Sequence, residues 1–195
     1  IDLGRVKAEL DERGLGCSTI STGQARGIEG LSLIGVPADI TKRTQERFMQ
    51  HIDAAKVLGS KVTIGLMRGL GSLETMDRDL ADLSEAMKPL VAYADQKGVT
   101  LCLEAINRYE TALLNSEATM DFIVNDLGNP GCVGILWDLF HANIEDIGFK
   151  QSIDIMGSRL QHVHLADSNR MFPGYGHTDF AGVLKAVKES GYSQY

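Results

Sequence analysis

The chain has 195 residues, 44% of them hydrophobic and 23% charged, and a formal net charge of −7. That length suits one domain, 1–195, with a sizeable core. An acidic chain without a basic run argues against a nucleic-acid partner, which needs clustered Lys and Arg, and no apolar stretch approaches the roughly 20 residues of a membrane span.

In chain order, Val6 and Leu10 share one face of a first helix, which Gly14 and Gly16 end. Gly16 to Ser21 reads as a strand. Thr41 to Leu58 reads as a helix, with Phe48, Ile52, Ala55 and Leu58 on one stripe and Gly59 as its stop. Lys61 to Gly65 is the next strand. Leu73 to Lys97 is a long helix carrying Leu73, Met76, Leu80, Leu83, Met87, Leu90 and Ala94 at helical steps. Val99 to Ala105 is the third strand. Ser116 is a candidate N-cap for a helix with Met120, Ile123 and Leu127, closed by Gly128 and Pro130. Val133 to Trp137 is the fourth strand, and a short helix spans Lys150 to Met156. Leu160 to Ala166 is the fifth strand. A last helix bears Phe180, Val183, Leu184 and Val187.

Five strand-then-helix units predict an α/β fold with a parallel sheet. The strands are near-continuous apolar runs, as parallel strands buried on both faces are. An open doubly wound sheet and a (β/α)₈ barrel both fit. A barrel takes about 250 residues and eight strands, so this chain is too short for a full one. Cys17, Cys102 and Cys132 form no metal or redox pattern and read as buried thiols. The first residues do not resemble a secretory leader, which makes the cytoplasm the default location.

Polar residues collect where the strands end. Glu104 ends the third, Asp138 the fourth, and His164 lies near the end of the fifth. In a parallel barrel the strand ends converge on one mouth, so these three would meet there. Two carboxylates and an imidazole suit a divalent metal: Mn²⁺, Mg²⁺, Co²⁺ or Zn²⁺. The following loops carry Asn107, Arg108, Glu110, His141, Asn143, Asp167, Asn169 and Arg170. Such hydrogen-bonding groups suit a polyhydroxylated ligand. Arg68 and Gly69 follow the second strand and read as a solvated loop. His51 reads as structural, and His162 as a core or supporting residue beneath His164. Trp137 should face outward against a helix.

The segments 103–110 (Leu-Glu-Ala-Ile-Asn-Arg-Tyr-Glu), 137–141 (Trp-Asp-Leu-Phe-His), 162–164 (His-Val-His) and 167–170 (Asp-Ser-Asn-Arg) resemble the xylose-isomerase-like barrel superfamily. Within it they are most similar to the ketose 3-epimerases of the D-tagatose and D-psicose group. The resemblance implies a divalent metal, usually Mn²⁺, held by Glu104, Asp138 and His164 and by a second Glu. It also implies sugar contacts from Glu110, His141 and Arg170, and Glu104 as a catalytic acid–base. It further implies an incomplete TIM barrel, with strands three to seven in view and no counterpart for the first two or the last. Family members pair as dimers or tetramers, so a homo-oligomer is expected.

The reaction implied is C3 epimerisation of a ketose through an enediolate. A sugar-phosphate or hydroxypyruvate isomerase uses the same intermediate and stays open as an alternative. So does a non-catalytic sugar- or metal-binding remnant. An abasic-site endonuclease on this fold needs more ligands than are in view and a surface suited to DNA.

Overall fold

Parallel strands cannot be joined by a tight turn, so each connection here crosses back over the sheet through helix. The computed structural model describes residues 1–194. The strands are β1 (Thr19–Ser21), β2 (Lys61–Ile64), β3 (Leu101–Glu104), β4 (Val133–Asp138) and β5 (Leu160–His164). The helices are α1 (Leu3–Glu12), α2 (Gly23–Glu29), α3 (Ala38–Leu58), α4 (Met76–Lys97), α5 (Glu117–Asp126), α6 (Leu139–Glu145), α7 (Phe149–Met156) and α8 (Phe180–Glu189).

The strand order decides between the two architectures left open by the sequence. All pairs are parallel and the order is β1-β2-β3-β4-β5. A doubly wound sheet reverses its order at a switch point. Here there is no reversal, so crossovers of one hand put the helices on one face. The other face curls inward. Lys61 on β2 reaches across this inner face to the backbone carbonyl of Gln161 on β5, skipping two strands. The result is a curled half-barrel. Among the described residues β1 pairs only with β2, and β5 only with β4.

The core lies between the outer face of the sheet and the helices. Val62, Ile64, Leu101, Leu103, Ile135 and Trp137 point outward. They meet Phe48, Ile52 and Ala55 of α3, Leu83, Met87 and Leu90 of α4, and Met120 and Ile123 of α5. Trp137 is 2% exposed and stands edge-on to Phe149 of α7, with ring centroids 5.7 Å apart. Cys102 and Cys132 are buried, Cys17 is half-buried, and all three are free thiols. His51 packs edge-on against Phe48 within α3. No helix is long and apolar enough to cross a membrane among the described residues.

The inner face is polar, because side chains alternate along a strand. Thr19 and Ser21 of β1, with Asp138, His162 and His164, line an open cleft of about 840 Å³. The differences from sequence expectation are local. The first strand covers only Thr19–Ser21. Leu73 lies outside α4 and is 80% exposed, and Leu184 is 49% exposed although it fits the stripe of α8. Helices α2 and α6 carry no signal recognised in the sequence.

Candidate functional site

Glu104, Asp138 and His164 are the last residues of three neighbouring strands. The register places Asp138 directly beside His164, and Glu104 beside Leu136. The His164 Nδ1 lies 3.3 Å from Asp138 Oδ2 and 3.7 Å from Glu104 Oε1. Burial opposes a charge on this imidazole, but hydrogen bonds to Asp138 and Glu104 outweigh it and raise the pKa to about 9. Burial likewise works against the Asp138 anion, yet His164 and the Phe140 N–H hold its pKa below the usual value. Asp138 also caps α6, accepting from Phe140 N at 2.8 Å and from His141 N at 3.4 Å. The strand therefore turns into helix without a loop, which carries His141 back over the strand ends.

His141 is 2% exposed. One of its ring nitrogens lies within 4.8 Å of carboxylate oxygens of both Glu104 and Asp138. Burial lowers its pKa. Its Nδ1 is 2.8 Å from the Asn107 side-chain nitrogen, which also donates to Glu110 Oε1 at 3.2 Å. Glu110 Oε1 in turn accepts from Arg170 Nη1 at 2.7 Å, and that guanidinium sits 4.8 Å from the centre of the Phe140 ring. The structure thus brings together all six residues singled out from the sequence. Glu104, Asp138 and His164 form an inner group, and Glu110, His141 and Arg170 an adjoining polar chain.

Arg170 adopts a left-handed backbone conformation, φ 63°. A non-glycine residue does so at a cost of order 1 kcal/mol and only where its surroundings dictate it. Here the Arg170 N–H closes a turn on the Asp167 carbonyl at 2.8 Å, and Asp167 is fully inaccessible. Its carboxylate accepts from the backbone of Ser168 at 2.7 Å, Gly174 at 2.8 Å and Thr178 at 3.1 Å. Desolvation opposes the Asp167 anion, but the backbone donors prevail and hold its carboxyl well below the usual range. The loop presenting Arg170 is therefore wound around one buried anion.

The xylose isomerase-like TIM barrel family profile matches residues 2–195. The chain belongs to that family. An L-ribulose 3-epimerase from Mesorhizobium japonicum is 30% identical over 206 residues, covering 99% of this chain and 64% of the relative. An L-ribulose 3-epimerase from Methylomonas is 36% identical over 107 residues, covering 55% of this chain and 37% of the relative. A solved L-ribulose 3-epimerase superposes with a TM-score of 0.83 at 29% identity, covering 100% of this chain and 65% of that one. The chain thus spans under two thirds of the length of these relatives.

In this xylose isomerase-like half-barrel, Arg68 corrects the reading of a solvated loop. It is 0% exposed. Its guanidinium donates to the carbonyls of Glu104 at 2.9 Å, Leu113 at 2.7 Å and Leu114 at 3.3 Å. Arg68 sits in one 3₁₀ turn directly after β2, which tucks it beneath the loop after β3. His162 is 5% exposed and its ring lies 5.0 Å from that of His164, which fits the supporting position expected. His177 belongs to the Asp167 loop, with Nδ1 2.9 Å from Ser168 Oγ.

Gly65 matters for a different reason. A Cβ there would lie 2.6 Å from Glu104 Oε2. The side chain of Glu104 can swing, so an added methyl should displace the carboxylate rather than unfold the protein. Gly65→Ala is expected to lower the His164 pKa from its value of about 9, because one of the two anions facing it moves away. An NMR pH titration of the His164 ring reads this directly, and an unchanged midpoint would show that Glu104 stays in place.

The donor set fits a divalent cation. Two mostly buried carboxylates are joined by the His164 imidazole, which is drawn into its charged form to offset them, and a ring nitrogen of His141 lies within 4.8 Å of both. Oxygen and nitrogen donors of this mix suit Mn²⁺, Mg²⁺ or Co²⁺.

Proposed function

We propose that this protein is a metal-dependent sugar epimerase or isomerase, acting on a ketose at the carbon beside its carbonyl, with epimerisation at C3 the favoured reaction. The observation that carries this reading is the contact of His164 with both Asp138 and Glu104, at 3.3 and 3.7 Å, at the ends of three adjacent strands. The names of the relatives support the substrate class, since L-ribulose is a ketose. Glu104, Asp138 and His164 would hold the metal, with Mn²⁺ our assignment. When bound, it would stabilise negative charge developing on the sugar oxygens.

The chain's own groups have separate tasks. Glu104 takes the proton from the carbon next to the ketone, leaving an enediolate whose two oxygens carry the displaced charge. His141, Glu110 and Arg170 hold the sugar's oxygens, His141 and Arg170 as donors and Glu110 as acceptor. Returning the proton to the same face regenerates the starting sugar. Inversion needs an acid on the opposite face. Arg170 is already paired with Glu110 at 2.7 Å, which disfavours it as a receptor for a phosphate and so favours a free sugar.

The test is isotope exchange. The protein is mixed with Mn²⁺ and D-fructose, D-tagatose or L-ribulose in D₂O, and C1 and C3 are followed by NMR. Deuterium at C3 is expected, and inversion there would reveal the second acid. Deuterium at C1 alone would redirect the assignment to aldose–ketose isomerisation. Metal binding with no exchange at either carbon would leave a sugar- or metal-binding protein and overturn the proposal.

A further inference from the structure

Two imidazoles, His141 and His164, lie beside the Glu104–Asp138 pair, and their hydrogen bonds differ. The Asn107 amide is fixed by its neighbours: its Oδ1 accepts the Tyr109 N–H at 3.0 Å, so its other atom is the NH₂. That NH₂ faces His141 Nδ1 at 2.8 Å, and the Asn107 backbone N–H faces the same atom at 3.3 Å. Both groups can only donate. Nδ1 of His141 must therefore be bare, and the proton of the neutral ring must sit on Nε2.

This has a chemical consequence. If Nδ1 is the nitrogen that approaches the carboxylates, its lone pair is already occupied by two N–H groups. If Nε2 approaches them, it carries a hydrogen. In neither case does neutral His141 have a lone pair for a cation. It has an N–H for an oxygen. The same Asn107 NH₂ also donates to Glu110 Oε1 at 3.2 Å, so one amide sets both His141 and Glu110.

We propose that Asn107 is a positioning residue: its backbone and side-chain N–H groups lock His141 as the Nε2–H tautomer and tie it to Glu110, making His141 a donor to a substrate oxygen and not a metal ligand. The substrate half of this statement rests on the epimerase reading above; the tautomer half does not.

The experiment labels the protein with ¹⁵N-histidine and records long-range ¹H–¹⁵N spectra without metal, at a pH where the ring is neutral. His141 is assigned by the signal lost in His141→Gln. The wild type should show a bare Nδ1 and a protonated Nε2. Asn107→Asp puts an anionic acceptor where the NH₂ stood 2.8 Å from Nδ1, which outweighs the longer 3.3 Å backbone N–H and should move the proton to Nδ1. It should also cut the turnover of C3 exchange roughly 10–100-fold, the usual cost of losing an orienting partner, with KM less affected and Mn²⁺ affinity by EPR unchanged. Asn107→Ser keeps a hydroxyl that can donate and should retain the wild-type tautomer, which decides the matter if the Asp variant does not fold. A proton on Nδ1 in the wild type, or an Asp variant with the wild-type spectrum, would overturn the proposal. Absence of sugar exchange in the wild type would instead count against the epimerase reading, and the spectra would still judge the tautomer.

Discussion

Glu104→Gln is expected to abolish proton exchange at the sugar carbon while the protein stays folded. The substitution keeps the length and shape of the side chain but removes the base. Positioned general bases contribute roughly 10²–10⁴-fold to a proton transfer, so exchange should fall at least that far. Glu104 is at a strand end, its side chain is 16% exposed, and its carboxylate faces His164 rather than the apolar core. Thermal stability should therefore change little. A second readout is independent of sugar. His164 owes its high pKa to two anions, so neutralising one should bring the ring's midpoint down from about 9. Loss of exchange together with a lowered His164 midpoint supports the assignment. Retained exchange would remove Glu104 from the reaction.

The strands and long helices were legible because their apolar residues recur at the spacing that burial demands. Leu83, Met87, Leu90 and Ala94 form such a stripe, and all are buried. The polar strand ends were legible for the opposite reason: a carboxylate at the end of an apolar strand is out of place unless something uses it. Two helices were not legible. α2 has seven residues, two of them glycine, and buries only Ala25, so neither propensity nor periodicity marks it. α6 follows β4 with no loop, and its N-cap is Asp138 itself, the residue that also faces His164. A residue with two roles hides one of them. The open choice between two architectures rested on strand order, which is a long-range property. It became visible only in the parallel pairing of each strand with its sequence neighbour.

Arg68 was misread because a charged residue followed by glycine ordinarily means a loop in water. The missed signal was elsewhere, in Leu113 and Leu114. An apolar pair inside a long connection means that the connection is buried, and buried carbonyls must find donors. Arginine supplies several N–H groups in one rigid fork and so serves three carbonyls on two segments at once.

Arg68→Met tests that role, and two terms of opposite sign decide the outcome. Burial costs the guanidinium enough to lower its pKa to about 10, so it stays charged at neutral pH while paying for desolvation. Removing it recovers that cost, and buried charges replaced by apolar groups are often neutral in stability. Against this, the Glu104 carbonyl loses the guanidinium, while those of Leu113 and Leu114 keep only the Thr111 hydroxyl at 3.5 Å and the Ile106 N–H at 3.2 Å. A buried polar group left unpaired costs about 1–3 kcal/mol. The loss at Glu104 and the weakened pairing at Leu113 and Leu114 outweigh the recovered term, and a net destabilisation of about 1–3 kcal/mol is expected. At roughly 2–4 °C per kcal/mol for a chain of this size, the melting temperature should fall by about 2–12 °C. Activity should fall further than stability explains. The freed segments carry the Glu104 backbone and the loop with Asn107 and Glu110, so exchange should be impaired even well below the melting transition. Arg68→Lys should fall between, since one ammonium cannot span all three carbonyls. A Met variant with wild-type melting and wild-type exchange would mean that the Glu104 carbonyl is held without Arg68.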